Sequence, residues 1–182
     1  MLEFNLNSFP TLRTERLILR EITLNDAEDF FVLRKNKEAM KYIDKPLHKS
    51  VSETQELIQK IIDDIKNNET IAWAISLKGN QKLIGTIGYH RIQKEHHRGE
   101  IGYMISPEYW NKGLVSEALV KVLEYGFTQM KFHSIEGVIN PNNLISAKLL
   151  KKFGFIKEAY FKENYFFEGK FLDTEIYSLL RK

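Results

Sequence analysis

The chain contains no cysteine. Disulfides, thiolate metal sites and a cysteine nucleophile are therefore excluded, and a reducing compartment is compatible. No apolar run approaches the roughly 20 residues that a membrane span needs, so no membrane partner is expected. The opening Met1-Leu2-Glu3-Phe4-Asn5 lacks the basic-then-apolar pattern of a signal peptide, and a cytoplasmic location is expected. Charge of one sign is also scarce. The balance of 27 Lys and Arg against 24 Asp and Glu leaves +3, too small an excess to argue for nucleic acid. Lys148, Lys151 and Lys152 read as a solvated helix face. His96 and His97 sit side by side in a charged turn, and neither they nor His90 has a carboxylate at ligand spacing, so no metal is expected.

What is present is an ordinary globular composition. The 182 residues suit one domain, and 12 Phe and 8 Tyr argue against disorder. Residues 14–22 read as an opening strand. Asn25 offers a helix N-cap with Glu28 three residues on, a capping-box spacing. A second helix starts near Ser50 or Ser52, where Leu57, Ile58, Ile61, Ile62 and Ile65 recur at helical period. Residues 70–106 alternate with period two, broken at Gly79-Asn80 and around His96-His97, with a returning strand through Leu83, Gly85, Ile87 and Tyr89, which predicts a three-stranded antiparallel meander. A helix over about 114–130, a strand over 133–139, a helix after Pro141-Asn142-Asn143 with Gly154 in its αL position, and two tail strands joined at Glu168-Gly169-Lys170 complete the order. It is β-α-α-β-β-β-α-β-α-β-β, one α+β domain with no repeat or linker. Trp73 and Tyr89 read as core or pocket wall. Phe166 and Phe167 either shape a cleft or pack.

The most informative stretch runs from Glu100 to Phe127. A strand ends, a Gly-containing loop turns, and a helix begins. A helix N-terminus offers unpaired N–H groups and a positive dipole end, which suits an anion. Gly113 permits a positive φ or close backbone approach. The N–H groups of Asn111, Lys112, Gly113, Leu114, Val115 and Ser116 can thus cradle a diphosphate, although one Gly before a helix is more often only a turn.

At this point the sequence resembles the GNAT acetyltransferases, and among them the ribosomal-protein N-acetyltransferase (RimJ/RimL-like) branch. Four pieces carry the resemblance in order: Thr14-Glu15-Arg16-Leu17-Ile18-Leu19-Arg20; Gly102-Tyr103 followed by Trp110-Asn111-Lys112-Gly113-Leu114-Val115-Ser116-Glu117-Ala118; Asn140-Pro141-Asn142-Asn143 with Ser146; and Lys152-Phe153-Gly154-Phe155. The sequence departs from the broad family pattern at three places. Trp110 stands where Gln or Arg is usual, Val115 where a small residue is usual, and Leu150 where a thiol-acid Tyr is frequent.

The resemblance implies a single GNAT-like domain over 1–182. Its central sheet would be mixed, mostly antiparallel and twisted, with about six to seven strands and about four flanking helices. It implies acetyl-CoA as co-substrate, no metal, and transfer to a primary amine by direct attack in a ternary complex. Under it Glu100 is the candidate base, otherwise a surface carboxylate paired with a neighbour such as Arg98. Ser146 is the candidate acid for the thiolate, otherwise a first-turn serine satisfying backbone groups. The backbone of Met104, Ile105 and Ser106 would pair with pantetheine in β fashion and offer an N–H to the oxyanion. Asn140 and Asn143 would orient the pantetheine or its amides, unless Asn143 or Asn142 merely caps the helix. The acceptor is a protein N-terminal α-amine of the ribosomal type or a small amine such as a polyamine, an aminoglycoside or an amino-acid-like metabolite. A polyamine predicts a strongly acidic cleft, and a protein terminus an open groove between the early helices and the tail hairpin. A non-catalytic acyl-CoA-binding module would need neither Glu100 nor Ser146. A monomer or homodimer fits either case.

Overall fold

A computed structural model describes residues 2, 4, 6 and 8–181. Met1, Glu3 and Asn5, on which the leader reading partly rests, lie outside the described residues. The elements are β1 (Leu12–Arg13), β2 (Leu17–Glu21), α1 (Ala27–Arg34), α2 (Lys37–Met40), α3 (Val51–Lys66), β3 (Ile71–Leu77), β4 (Gly85–Gln93), β5 (Arg98–Ile105), α4 (Leu114–Thr128), β6 (Ser134–Ile139), α5 (Leu144–Lys152), β7 (Ile156–Phe167) and β8 (Lys170–Leu180). One sheet carries the strands in the order β1-β2-β3-β4-β5-β6-β8-β7. Its pairings are antiparallel except β5 with β6. The expected α+β architecture and mostly antiparallel mixed sheet are therefore found. Two short elements raise the counts: β1 has two residues and α2 four, too few for a period to register.

Local chemistry moves several boundaries. β2 starts at Leu17 because Thr14 closes a turn, its Oγ1 accepting from Leu17 N–H at 2.8 Å while Thr14 N–H donates to Leu17 C=O at 3.1 Å. Asn25 does not cap α1. It lies in a 3-10 turn, Leu24–Asp26, and Asp26 is the N-cap residue of α1, its carboxylate turned back to the turn rather than onto the helix. Asp26 accepts from Thr23 N–H at 2.8 Å and from both Arg20 Nη groups at 2.9 and 2.6 Å. A buried carboxylate needs such donors. β4 starts at Gly85, not Leu83, because Leu83 N–H turns to Asp29 Oδ2 at 3.0 Å. Ser50 caps α3, Asn143 caps α5, and Gly154 takes φ +86° after α5.

The two sheet faces bury different helices. Trp73, Ile87, Tyr89, Ile101, Ile105 and Ile135 pack against Leu114, Ala118, Leu119 and Val122 of α4 and Ala147 and Leu150 of α5. Each fully buried side chain of this size contributes about 1.5–3 kcal/mol. Ala74, Leu83 and Met104 on the opposite face pack with Phe30 and Leu33 of α1 and Ile58 of α3. Successive strand residues face opposite ways, so Glu100 and Gly102 share the α1/α3 face with Met104. Among the described residues no helix is long and apolar enough to cross a membrane.

Candidate active site

The site begins as a fork in the sheet. β5 pairs with β4 from Glu100 to Ile105, but with β6 only over Arg98, Gly99 and Glu100 opposite Ser134, Ile135 and Glu136. Beyond Glu100 and Glu136 the two strands have no ladder, although both continue. Backbone groups on that side of Ile101–Met104 therefore face a gap. Buried backbone polar groups need partners, and an extended amide-bearing chain would supply them by strand addition. Part of the expected pantetheine contact is already committed elsewhere. Ile105 C=O accepts from Trp110 Nε1 at 2.9 Å. Ser106 N–H donates to Ile84 C=O at 2.8 Å, and Ser106 C=O accepts from Tyr109 N–H at 2.9 Å. Of the three residues, Ser106 thus has both its backbone groups bonded within the protein.

On the α4 face the fork opens toward the loop Trp110–Gly113. Asn111 has φ +58° and Gly113 φ +74°, the second being the left-handed N-cap of α4. A glycine N-cap has no side chain to satisfy the first helical N–H groups, and no side-chain cap bond is made. Those of Leu114, Val115 and Ser116 have no intrahelical acceptor by helix geometry, and they sit at the positive end of a 15-residue helix. Val115 packs its branched side chain against the main core, so the departure from a small residue does not fill the loop. The loop is fastened from outside. Glu117 accepts from Thr14 Oγ1 at 2.5 Å and Arg16 N–H at 2.7 Å through Oε1, and from Arg16 Nε at 2.7 Å through Oε2. Burial would raise the Glu117 carboxyl, but the Thr14 hydroxyl and the Arg16 backbone and guanidinium together hold it below its ordinary value.

On the α1/α3 face a polar row crosses four strands in register: His90, Glu100, Glu136 and Ser178. Glu100 is a largely buried side chain, 17% exposed, with Arg91 Nη1 3.3 Å from its Oε2. Arg98, the partner expected for Glu100, pairs instead with Glu136. Burial pushes the Glu100 carboxyl up, Arg91 pulls it down and Glu136 pushes it up again, with a net rise. Glu100 Oε2, Arg98 Nε and Ser178 Oγ are buried without a well-aligned hydrogen bond among the described residues. The His90 ring lies over Gly102, where a Cβ would meet its Cδ2 at 2.8 Å. Protein crowding, although the residue as a whole is exposed, and Arg91 beside it hold the imidazole below its usual value. A recess of about 370 Å³ adjoins His90 and Arg91, lined also by Asp64, Glu69 and Lys94. The β7–β8 hairpin meets the helical layer where the Tyr165 hydroxyl donates to Asp44.

Ser146 lies in the first turn of α5, half-buried, its N–H bonded to Asn143 Oδ1 at 3.1 Å. Its side chain neighbours the Tyr103 phenol on the α4/α5 face. Burial raises that phenol and the Ser146 side chain opposes the rise. The pair does not close a well-aligned hydrogen bond, and Tyr103 Oη is left buried without a partner. Period-two reading placed Tyr103 with the core residues Ile101 and Ile105, and nothing in the sequence marks its hydroxyl as orphaned. Asn140 and Asn143 both use their Oδ1 locally, on Asn142 N–H and Ser146 N–H at 2.9 and 3.1 Å, the first closing the turn before α5 and the second capping the helix. Trp73 and Tyr89 are core residues, each with its polar atom bonded: Trp73 Nε1 to Pro10 C=O and Tyr89 Oη to Val122 C=O. Phe166 and Phe171 are exposed and stack on each other with centroids 5.1 Å apart. Among the described residues no three His, Cys, Asp or Glu side chains group as metal ligands.

Residues 16–156 match the acetyltransferase (GNAT) domain. The uncharacterized N-acetyltransferase YoaA of Bacillus subtilis is 38% identical over 95% of this chain and 98% of its own. The crystal structure of a GNAT-family acetyltransferase from Bacillus anthracis superposes with a TM-score of 0.83 at 30% identity, covering 94% of this chain and 98% of that one. A spermidine N-acetyltransferase from Vibrio cholerae, solved with CoA and spermine, gives 0.78 at 27% identity over 90% and 95% of the two chains.

Proposed function

This chain belongs to the GNAT acetyltransferase family, and we propose that it moves the acetyl group of acetyl-CoA onto the N-terminal α-amine of a protein or peptide by direct attack in a ternary complex. The observation that carries this reading is the fork itself. The opening between β5 and β6 has the α4 N-terminus on one face and Glu100, with its raised carboxyl, on the other. A donor chain lying along β5 would reach the fork from the α4/α5 side, and an amine would reach it from the α1/α3 side. An amine must lose a proton before it attacks. A carboxyl with a raised pKa is a better match for that proton than an ordinary one, which assigns the base role to Glu100. The departing thiolate gains from a proton donor, and Ser146 with Tyr103 stands on the donor side to provide it. N–H groups of the unpaired β5 edge near Met104 suit the oxyanion.

The ion pairing of the row's two carboxylates supports a choice of acceptor class. Arg91 answers Glu100 and Arg98 answers Glu136. A polycation needs carboxylates in excess to hold its further ammonium groups, whereas a lone amine is neutral when it attacks and needs none beyond the base. This favours an α-amine. The spermine-bound relative keeps a polyamine as the second reading. Thiol release from acetyl-CoA, measured across N-terminal peptides, spermidine, spermine and amino-acid amines, separates the two. The expected result is a kcat/KM at least about tenfold higher for a peptide than for either polyamine, a gap of about 1.4 kcal/mol. A higher value for spermidine replaces the acceptor assignment. No thiol release with any amine, despite CoA binding, points to a non-catalytic acyl-CoA module.

A further inference from the structure

The motif Thr14 to Arg20 has structural roles in the turn and loop contacts but no part yet in binding a substrate. In the structure its first half reaches the loop at the start of α4. Arg16 donates Nε–H to Glu117 Oε2 at 2.7 Å and Nη1–H to Lys112 C=O at 3.0 Å. The guanidinium is fixed at two of its three nitrogens. Nη2 has no hydrogen-bond partner among the described residues, and the side chain is 47% exposed. It is close to the loop apex: a Cβ placed on Gly113 would lie 3.7 Å from Nη2. A cation thus stands with one free edge beside Gly113, the N-cap residue of α4. Glu117, in the same first turn, would repel an anion there. Its two oxygens are instead occupied by Thr14 Oγ1, Arg16 N–H and Arg16 Nε, and its charge is matched by Arg16.

We propose that Arg16 is a phosphate-binding residue of this site, donating Nη2–H to a phosphate oxygen of the nucleotide that carries the thioester, and that Thr14 and Glu117 hold it in position. The proposal rests on the acetyl-CoA reading and adds a contact from β2's approach segment, outside the loop and helix that bear the backbone donors. A planar guanidinium fixed through Nε and Nη1 loses little freedom when its last edge binds, which is why Arg rather than Lys suits the place.

The test pairs a donor with phosphates and one without. Calorimetry measures CoA affinity, and turnover is measured with acetyl-CoA and with S-acetyl-pantetheine, which has no phosphate. Arg16→Ala is expected to weaken CoA binding about tenfold, the size of one charge-assisted hydrogen bond, while S-acetyl-pantetheine kcat/KM stays within about twofold of wild type. Arg16→Lys keeps charge without the fork and is expected to lose about threefold in CoA affinity. It carries the test if the alanine variant does not fold. Unchanged CoA affinity in these variants, or an equal loss with both donors, overturns the proposal, the second result marking Arg16 as structural. A wild-type chain that binds no CoA at all defeats the acetyl-CoA reading instead, which is a different outcome from a wild type that binds and variants that bind equally well.

Discussion

The two sides of the fork differ in how their polar groups are satisfied. Around α4's first turn, Thr14, Arg16, Glu117 and Lys112 form a network in which both Glu117 oxygens are matched by donors at 2.5–2.7 Å. Across the sheet, the row His90–Glu100–Glu136–Ser178 leaves Glu100 Oε2, Ser178 Oγ and the neighbouring Arg98 Nε buried without aligned partners. A satisfied network fixes geometry, and buried unsatisfied atoms cost free energy that a stable fold has no reason to retain. The difference teaches where the fold fixes its geometry with its own side chains: the loop before α4 is tied down by a closed network, whereas the row across the sheet is tied by two ion pairs. On the proposed function the first is the donor seat and the second the acceptor side, and the Tyr103 hydroxyl between them also lacks an aligned partner among the described residues.

The sharpest way to break this contrast is Glu100→Gln. The amide keeps the shape and removes the proposed base. Losing a positioned general base costs about 10²–10⁴-fold, so kcat is expected to fall by at least about a hundredfold, while the KM for acetyl-CoA stays within about threefold because the seat is untouched. Steady-state kinetics with the best acceptor measures both. A large rise in the acetyl-CoA KM with kcat preserved would mean that Glu100 belongs to the donor seat and that the two sides are not separate.

Tyr103 tests the boundary between them. It projects to the α4/α5 face beside Ser146, with its hydroxyl unpartnered, from the same strand that carries Glu100 on the other face. If that hydroxyl supports the departing thiolate, Tyr103→Phe removes one hydrogen bond to a developing charge, worth about 1.5–3 kcal/mol, and kcat falls about tenfold or more. The phenyl ring keeps the packing, so thermal stability should hold or rise slightly as the orphan is removed. A kcat equal to wild type assigns the acid role to Ser146 alone.

How much of this was legible in the sequence follows the same division. The meander, α3, α4, the Asn143 cap and the Gly154 terminus were readable because period, caps and turns act over a few residues. The turn before α4 was readable because a glycine before an amphipathic helix is a local signal. The errors at Asn25 and Leu83 arose where distant groups won: Arg20 drew Asp26 into the turn, and Asp29 drew the Leu83 N–H. The acceptor row was not readable as a unit. Its members come from four strands, and β5 lies beside β6 only because the intervening α4 crosses back to make a parallel pair. Glu100 was named from its face on a strand, but its counter-charge was expected in Arg98, two residues earlier. A bulge between His90 and Gln93, with Arg91 at φ +46°, sends Arg91 there instead.

That substitution of partners gives the finest test. Arg91 is exposed, its side chain 76% accessible, so it can be changed without opening the core. Three influences act on Glu100: burial raises it, Arg91 lowers it and Glu136 raises it. In Arg91→Gln only the lowering influence is lost, so the carboxyl must climb further. A base works when deprotonated, so kcat/KM falls as pH drops through its pKa. The acid limb is therefore expected to move to higher pH in Arg91→Gln, with the plateau above it within about twofold of wild type. His90 also feels Arg91 in the same direction, and His90→Gln tells the two apart, since it should leave the limb in place if Glu100 is the titrating group. A limb that stays put in Arg91→Gln, or moves to lower pH, would mean that the acceptor side is balanced by some other cation and that its arginine is only a surface neighbour.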